Sequence, residues 1–192
     1  IRRLILTGSG GPFRKRALKS FNNISIEEAL NHPNWDMGRK ISIDSATMMN
    51  KGFELIEAYW LFDLPIDKID IVVHPQSVIH SMIEFKDSSI KAQLGVPDMK
   101  VPIQYALTYP SHLASNWETL DLVKIGSLTF EEPSLERFPC ISLAYEAIRQ
   151  EGSTSAVLNI ANEQAVYRFL DHQIGFMEIP QIIEEACTKH EW

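Results

Sequence analysis

Several short stretches of the chain have the pattern of apolar and polar positions typical of β-strands. This pattern predicts strands at residues 3–7, 40–43 and 69–73. Two further runs, at residues 78–85 and 90–94, flank a polar four-residue turn and predict an antiparallel hairpin. The strands are therefore expected to form a sheet with at least one antiparallel pair.

Elsewhere apolar positions repeat every three or four residues, which predicts helices. The predicted helices cover residues 46–62, 97–108, 140–150 and 154–171, and one more opens near residue 180. Asp44 and Ser45 are candidate N-caps of the first of these helices. Ser25 is the predicted N-cap of a shorter helix, where Glu28 is placed to complete a capping box.

A change in composition divides the chain. Residues 109–134 contain Pro110 and Pro133 and have little periodicity, so they are predicted to be a linker with short strands. The predicted fold class is α/β (α+β), with a mixed-sheet domain over residues 1–108 and a small all-helical domain over residues 135–192. Because the chain starts inside a strand-like run without Met and stops inside a helix, both domains are expected to be incomplete.

Overall composition excludes several classes of protein. The 192 residues carry 18 Lys or Arg and 25 Asp or Glu, a net charge of -7, and 45% of them are hydrophobic, which is ordinary for a soluble protein. No stretch approaches 18 apolar residues, so no membrane span is expected. Overall acidity argues against a nucleic-acid partner. Two cysteines, Cys140 and Cys187, are too few for a disulfide framework or a zinc site, and a cytoplasmic setting is expected.

Basic residues are concentrated at the start of the chain. Residues 1–51 hold nine Lys or Arg against four Asp or Glu, whereas the remainder is acidic. A basic segment in an acidic protein can concentrate an anionic ligand. A solvated basic surface around residues 14–19 is the alternative.

Two segments are candidates for binding an anion. The turn Gly-Ser-Gly-Gly at residues 8–11 follows a predicted strand, and its backbone N–H groups and the Ser9 hydroxyl could hold one. Its spacing fits neither a Walker loop nor a dinucleotide fingerprint, so a structural turn is the alternative. Ser45 opens the second segment, with Asn50 and Lys51 following it in the predicted helix. Here the alternative is an N-cap with a solvated polar face.

Other side chains suggest further chemistry. Glu54 and Glu57 share a helical stripe with Asn50, so they are candidate metal ligands or bases, with a surface salt bridge as the alternative. His74 and His80 are six residues apart, which fits no common metal template, and structural roles are predicted for both.

The loop at residues 32–40 has an unusual composition for a solvent-exposed segment. It contains Trp35 and Met37 between a proline and a glycine. Such a loop is a candidate lid that closes an aromatic side chain over a ligand. A docked structural loop is the alternative.

Six motifs occur along the chain. They are T-G-S-G-G-P-F at residues 7–13, H-P-N-W-D-M-G-R-K at 32–40, D-S-A-T-M-M-N-K-G-F-E at 44–54, H-P-Q-S-V-I-H-S-M at 74–82, L-G-V-P-D-M at 94–99 and N-I-A-N-E at 159–163. In sequence, order and spacing they resemble the 1-deoxy-D-xylulose 5-phosphate reductoisomerase family. The resemblance covers essentially the whole chain.

The resemblance implies an NADPH-dependent oxidoreductase and isomerase. Members of the family rearrange 1-deoxy-D-xylulose 5-phosphate with Mg²⁺ or Mn²⁺ and reduce the resulting aldehyde with NADPH, giving 2-C-methyl-D-erythritol 4-phosphate for non-mevalonate isoprenoid biosynthesis. The implied partners are a phosphorylated sugar and a second copy of the chain, paired through the hairpin at residues 78–94. The implied location is the bacterial cytoplasm, or the plastid for a plant or apicomplexan source.

The resemblance also assigns roles to individual residues. The residues implied to form the phosphate and substrate pocket are Ser9, His32, Ser45, Asn50, Lys51 and Glu54. The residues implied to be catalytic are Glu54, Trp35 and His32. The residues implied to face the nicotinamide are Met37, Gly38 and Met99. Glu54 is the implied metal ligand and Trp35 the implied lid residue. Residues 1–108 are thereby assigned to catalysis, substrate binding and dimerisation.

Two parts of the family pattern have no counterpart in these residues. They are the amino-terminal NADPH-binding domain and a K-V-D-S-E segment that supplies two more acidic metal ligands. The chain by itself is therefore expected to be inactive. Two alternatives stay open: a non-catalytic module that binds a phosphorylated ligand, and a metal-dependent phosphosugar isomerase or aldolase without hydride transfer.

Overall fold

A four-stranded mixed sheet forms the first half of the molecule. The computed structural model describes residues 1–33 and 37–191. Its strands are β1 (Arg3–Gly8), β2 (Ile69–Val73), β3 (Ile79–Glu84) and β4 (Ile90–Leu94), in the spatial order β2-β1-β3-β4. β1 pairs with β2 in parallel and with β3 antiparallel, and β3 pairs antiparallel with β4. The strands predicted at residues 3–7 and 69–73 are confirmed as β1 and β2. The predicted hairpin is confirmed as β3 and β4.

Helices cover the sheet and extend beyond it. They are α1 (Ile26–Leu30), α2 (Arg39–Ala46), α3 (Met49–Phe62), α4 (Lys100–Thr108), α5 (Leu122–Ile125), α6 (Pro139–Arg149), α7 (Thr154–Leu170) and α8 (Glu178–Thr188). At the start of α1, Ser25 accepts a hydrogen bond from the Glu28 backbone N–H, and the Ser25 N–H donates to the Glu28 carboxylate. The predicted capping box is confirmed.

Residues 39–48 differ from the prediction. The strand predicted at residues 40–43 is wrong, because these residues lie in α2. Polar and apolar residues alternate at positions 40–43, as they would in a strand. Burial instead follows one face of a helix, because Ile43 and Ala46 are inaccessible to solvent whereas Ile41 is 42% exposed. The predicted helix at 46–62 is two helices, α2 and α3. Asp44 and Ser45 therefore lie in the last turn of α2 and are not N-caps.

The segment at residues 109–134 contains little regular structure. Its regular elements among the described residues are α5 and one bridge between Val73 and Glu131, so the short strands predicted there are represented by that bridge alone. The helices α6, α7 and α8 follow within two residues of their predicted starts. A mixed sheet followed by helices confirms the predicted fold class. The division into domains at residues 109–134 stays a prediction.

The core joins the start of the chain to its end. Phe13 and Phe21 pack edge-to-face against Phe176, with ring centroids 5.3 Å and 6.3 Å away, and Phe169 packs on the same ring at 5.8 Å. All four rings are at most 3% exposed. The helices α6, α7 and α8 therefore share one hydrophobic core with the residues that follow β1. In the described parts of the chain, no helix is long and apolar enough to cross a bilayer.

Candidate active site

Polar side chains from separate elements converge on one cavity of about 200 Å³. It lies where β1 ends, where α2 meets α3, and where β3 begins. Its lining consists of Thr7, Gly8, Ser9, His32, Met37, Ile41, Ser45, Asn50, Lys51, Glu54, Ser77, Ile79, His80 and Met99. Most of the residues named from the sequence thus occur together here.

The turn after β1 forms one wall of the cavity. Ser9 Oγ accepts a hydrogen bond from the Gly11 backbone N–H at 3.2 Å and lies 3.1 Å from His32 Nε2. A Cβ atom on Gly8 would lie 3.0 Å from Lys51 Cγ, closer than side chains normally pack. Glycine at position 8 therefore gives the Lys51 stem room to reach the cavity.

The junction of α2 and α3 forms the opposite wall. Met48 separates the two helices in the left-handed region, at φ 61°, and is only 2% exposed. This conformation is unfavourable for a residue with a side chain, and such residues concentrate at functional sites. The turn places Ser45, in the last turn of α2, beside Asn50 and Lys51, in the first turn of α3.

Glu54 is the acceptor for both cationic and amide donors of α3. Asn50 Nδ2 donates to Glu54 Oε1 at 3.0 Å, and Lys51 Nζ forms an ion pair with Glu54 Oε2. Lys51 is only 9% exposed, so most of its stem is buried. One carboxylate thus holds both groups in the cavity, in an i,i+3 and i,i+4 arrangement on one helical face.

Divalent cations such as Mg²⁺ require several oxygen ligands. Glu54 and the Asn50 amide can supply such oxygens. Within residues 1–33 and 37–191, however, no group of three His, Cys, Asp or Glu side chains could hold a metal ion. The described residues therefore fit one part of a magnesium site and do not complete it.

Two histidines in the cavity have pKa values that are lowered by their surroundings. Burial lowers the pKa of His32 below its ordinary value. Burial also lowers the pKa of His80, and the positive charge of Lys51 adds to the effect while Glu54 opposes it. In both rings burial thus favours the uncharged form of the imidazole.

His74 has the structural role predicted for it. Its Nδ1 lies 2.9 Å from the Thr129 carbonyl oxygen, and its Nε2 accepts from the Val78 backbone N–H at 3.2 Å. The ring is fully buried and stacks on Phe130 at 4.9 Å. These contacts tie the end of β2 to the segment before α6.

Some cavity residues were missed from the sequence. His80 was predicted to be structural, and Thr7, Ile41, Ser77 and Ile79 were not singled out. Nothing in the sequence around Thr7 marked it as a cavity residue, because its hydroxyl has a structural role. Thr7 Oγ1 donates to the Ile79 carbonyl oxygen at 2.5 Å and fixes β1 against β3. The sequence placed His80 on a predicted strand but gave no signal that this strand begins at the cavity.

Three residues named from the sequence are not among the described residues that line the cavity, and one of them, Glu57, lies on α3 outside the lining. Gly38 caps α2 outside the lining, and no described atom lies within 4 Å of where its Cβ would be. Trp35, the residue expected to form the lid, lies outside the described residues. Its role stays a prediction.

Comparison with known proteins identifies the family. A model of the 1-deoxy-D-xylulose 5-phosphate reductoisomerase C-terminal domain matches residues 1–62, and a model of the DXP reductoisomerase C-terminal domain matches residues 94–192. The chain belongs to the DXP reductoisomerase family. The predicted resemblance is confirmed.

Reductoisomerases of known sequence and structure are similar over nearly the whole chain. That of Acetivibrio thermocellus is 60% identical over 190 residues, and that of Heliobacterium modesticaldum is 58% identical; each alignment covers 99% of this chain. The chain spans about half the length of the curated relatives it matches.

Solved reductoisomerases have the same fold. The Zymomonas mobilis enzyme in complex with NADPH superimposes with a TM-score of 0.93 at 49% identity, over 100% of this chain and 49% of that one. A DOX-P reductoisomerase in complex with NADPH, fosmidomycin and magnesium superimposes with a TM-score of 0.95 at 50% identity, over 98% of this chain and 46% of that one.

Proposed function

We propose that this chain is the substrate-binding part of a reductoisomerase that converts 1-deoxy-D-xylulose 5-phosphate to 2-C-methyl-D-erythritol 4-phosphate in isoprenoid biosynthesis. The observation that supports it best is the convergence of Ser9, Ser45, Asn50 and Lys51 with Glu54 on one cavity. The solved relatives bound to NADPH and magnesium support the two cofactors.

In the proposal, the phosphate of the substrate lies between the turn after β1 and the α2–α3 junction. Lys51 supplies a positive charge, and the hydroxyls of Ser9 and Ser45 and the amide of Asn50 supply uncharged donors. His32 lies against Ser9, where it is proposed to orient that hydroxyl toward the phosphate. Holding the phosphate at a distance from the reacting carbons positions the substrate.

Binding of the phosphate would change the partners of Glu54. The Glu54 carboxylate accepts from Asn50 and Lys51 through its two oxygens. When these donors turn to a phosphate, the carboxylate loses its partners and can offer an oxygen to Mg²⁺ or Mn²⁺. Substrate binding and completion of the metal site are thereby coupled through one side chain.

The cofactors supply the chemistry that side chains cannot. The divalent cation polarises the substrate oxygens during the rearrangement, and NADPH supplies the hydride for reduction. Met37 and Met99 line the cavity and are proposed to face the nicotinamide, where their apolar side chains exclude water. Gly38 is proposed to allow close approach of the cofactor, and Trp35 to close over the substrate.

The proposal includes a homodimer in the bacterial cytoplasm or a plastid. β4 is the edge strand of the sheet, and its Ile90 and Leu94 side chains are 53% and 41% exposed. An edge strand with exposed apolar side chains is suited to pairing with a second copy.

Replacing Lys51 tests the proposal. In the intact protein, Lys51→Ala should raise KM for the sugar phosphate about 10- to 150-fold, corresponding to about 1.5–3 kcal/mol for a hydrogen bond to a charged group. KM for NADPH should stay unchanged, because Lys51 is proposed to touch only the sugar phosphate. Steady-state kinetics with each substrate varied in turn measures both constants.

Lys68→Ala is the matched control, since Lys68 is exposed and lies away from the cavity. It should leave both constants at the wild-type value. Equal increases in both KM values for Lys51→Ala would rule out a phosphate ligand. Turnover of the sugar phosphate without NADPH oxidation would favour an isomerase without hydride transfer, and binding without turnover would favour a non-catalytic module.

A further inference from the structure

A buried polar contact joins α2 to α7. Asn162 Nδ2 donates a hydrogen bond to Asp44 Oδ1 at 2.8 Å, across 118 positions of sequence. Asn162 is inaccessible to solvent and Asp44 is 2% exposed. The other oxygen of Asp44 forms an ion pair with Lys40 Nζ at 2.6 Å, one helical turn earlier in α2.

One side of this contact faces the apolar core, and the other faces a polar cleft that Asp44 lines together with Lys40 and Asn159. Ile43 and Ala46 on α2 and Leu158 and Ala165 on α7 are all inaccessible and belong to one core cluster. A carboxylate in such a place is unfavourable unless it keeps its hydrogen bonds. Apolar contacts alone tolerate small rotations of packed helices, whereas a buried polar pair is satisfied in one register only. The pair therefore specifies how α2 is rotated on α7.

The rotation of α2 decides where Ser45 points. Ser45 follows Asp44 directly and lines the cavity. On its other side α2 is in close contact with the turn after β1, because a Cβ atom on Gly11 would lie 2.6 Å from the Ser45 carbonyl oxygen. The C-terminal end of α2 thus lies between the loop that follows β1 and helix α7, and Asn162 contacts it from α7.

We propose that Asn162 and Asp44 are positioning residues, which hold α2 in the rotation that directs Ser45 to the substrate phosphate. This inference rests on the proposed function of the cavity. Neither side chain lines the cavity, so both act through α2 and not on the ligand. Asn162 belongs to α7, so the helical region contributes to phosphate recognition without touching the phosphate.

Asn162→Leu in the intact protein is the direct test. Leucine has a similar volume but cannot donate to Asp44. KM for 1-deoxy-D-xylulose 5-phosphate should rise roughly tenfold, the change expected for loss of one hydrogen bond of ordinary strength, while KM for NADPH stays unchanged. Gln164→Leu is the control, since Gln164 is an exposed amide on the same helix, and it should leave both constants unchanged.

Exchanging the two groups separates positioning from general stability. Asn162→Asp places two carboxylates together in the core and should raise KM for the sugar phosphate more than Asn162→Leu does. The double variant Asp44→Asn with Asn162→Asp restores one donor and one acceptor, and should return this KM to within about threefold of wild type. Thermal unfolding measured on the same samples records the stability of each variant.

Three results would overturn the inference. Asn162→Leu could lower the melting temperature and keep the wild-type KM for the sugar phosphate, which would make the pair purely structural. Both KM values could rise together, or the double variant could fail to recover. If Asn162→Leu does not fold, the recovery in the double variant is the deciding measurement.

The affinity of each folded variant for inorganic phosphate, measured by calorimetry, separates this inference from the proposed function. A wild-type protein that binds phosphate but does not turn over the sugar would overturn the function alone. Weaker phosphate binding in Asn162→Leu would still support positioning, and unchanged phosphate binding would contradict it.

Discussion

Glu54 is the side chain on which most of the cavity depends. It holds Asn50 and Lys51 in the described structure, and it is the proposed ligand of the divalent cation. In the proposal it exchanges the first role for the second when the phosphate takes over its two donors. In the proposal it lies between the phosphate donors and the cation, so small chemical changes at Glu54 should affect both.

Glu54→Gln should abolish most activity and leave phosphate binding largely intact. The amide keeps the volume of the side chain and can still accept from Lys51, but it lacks the negative charge that the cation needs. Turnover in the intact protein should fall by more than the roughly 10- to 100-fold typical of losing an outer-shell partner of a metal ligand. Titration of activity with Mg²⁺ at fixed NADPH measures the change.

The exposed Glu27 in α1 provides the matched control, and Glu27→Gln should titrate like wild type. If Glu54→Gln kept wild-type turnover and the same magnesium dependence, Glu54 would be only a salt-bridge residue.

Individual residues of the site were predictable where neighbouring residues in the sequence form a recognisable polar motif. Ser9, Asn50, Lys51 and Glu54 are polar residues in short motifs, and the cavity contains all four. His80 was not predicted, because nothing near it in sequence shows that β3 begins at the cavity. Its neighbours Lys51 and Glu54 are about 30 positions away, and only the sheet order brings them together.

At the scale of elements, α3 is held by a close contact with α6. A Cβ atom on Gly52 would lie 2.9 Å from Ala144 Cβ and 3.4 Å from the Cys140 carbonyl oxygen. Glycine in the middle of a helix normally destabilises it. Because Gly52 has no side chain, α3 and α6 can pack closely. This close packing positions Asn50 and Lys51, which lie in the same helix as Gly52.

Gly52→Ala should therefore destabilise the protein although alanine is the better helix former. The gain in helix propensity is about 1 kcal/mol, and overpacking of a core typically costs about 1–3 kcal/mol, so we expect a net loss of up to roughly 2 kcal/mol in the free energy of unfolding. Urea denaturation measures it.

Gly95→Ala serves as the comparison, because its Cβ would meet no described atom within 4 Å. Adding Ala144→Gly to Gly52→Ala should recover part of the loss, since it removes the atom that clashes. An unchanged or increased stability in Gly52→Ala would show that α6 can move away freely.

Helices and strands were predictable where the repeat of apolar positions, or a clear turn sequence, extends over many residues. The helix α6 has a clear helical period, and the hairpin β3–β4 is marked by the polar turn that joins its strands. The strand predicted at residues 40–43 was wrong because four alternating residues fit either structure, and contact with α7 decides the outcome. The break at Met48 was also invisible, since methionine carries no signal for a left-handed conformation.

At the scale of the whole molecule, the histidines predict a dependence of stability on pH. The pKa values of His32 and His80 are lowered by folding, so the unfolded chain binds more protons than the folded one as the pH falls through about 6.5. The free energy of unfolding should therefore decrease on acidification and recover as the pH is raised.

Urea denaturation at about pH 7.5 and about pH 5.5 measures this loss. The double variant His32→Gln with His80→Gln should lose less stability over the same interval, because glutamine does not titrate. An equal loss in wild type and variant would assign the pH dependence to other groups.

The 192 residues expressed by themselves should not oxidise NADPH with 1-deoxy-D-xylulose 5-phosphate and Mg²⁺. The described residues supply a single carboxylate at the cavity, and Mg²⁺ gives up its water reluctantly to so few ligands. Absorbance of NADPH during incubation with purified chain measures this directly. A sustained decrease that requires the sugar would contradict the prediction.

The aromatic cluster that joins the two ends of the chain also bears on how the protein is synthesised. Phe13 and Phe21 leave the ribosome about 150 positions before Phe169 and Phe176, the rings that complete the cluster. At ~5–20 residues per second, the early rings wait roughly 7–30 seconds for their partners. During that interval the nascent chain presents uncovered aromatic side chains, so its yield in the cell should depend on chaperones that shield them.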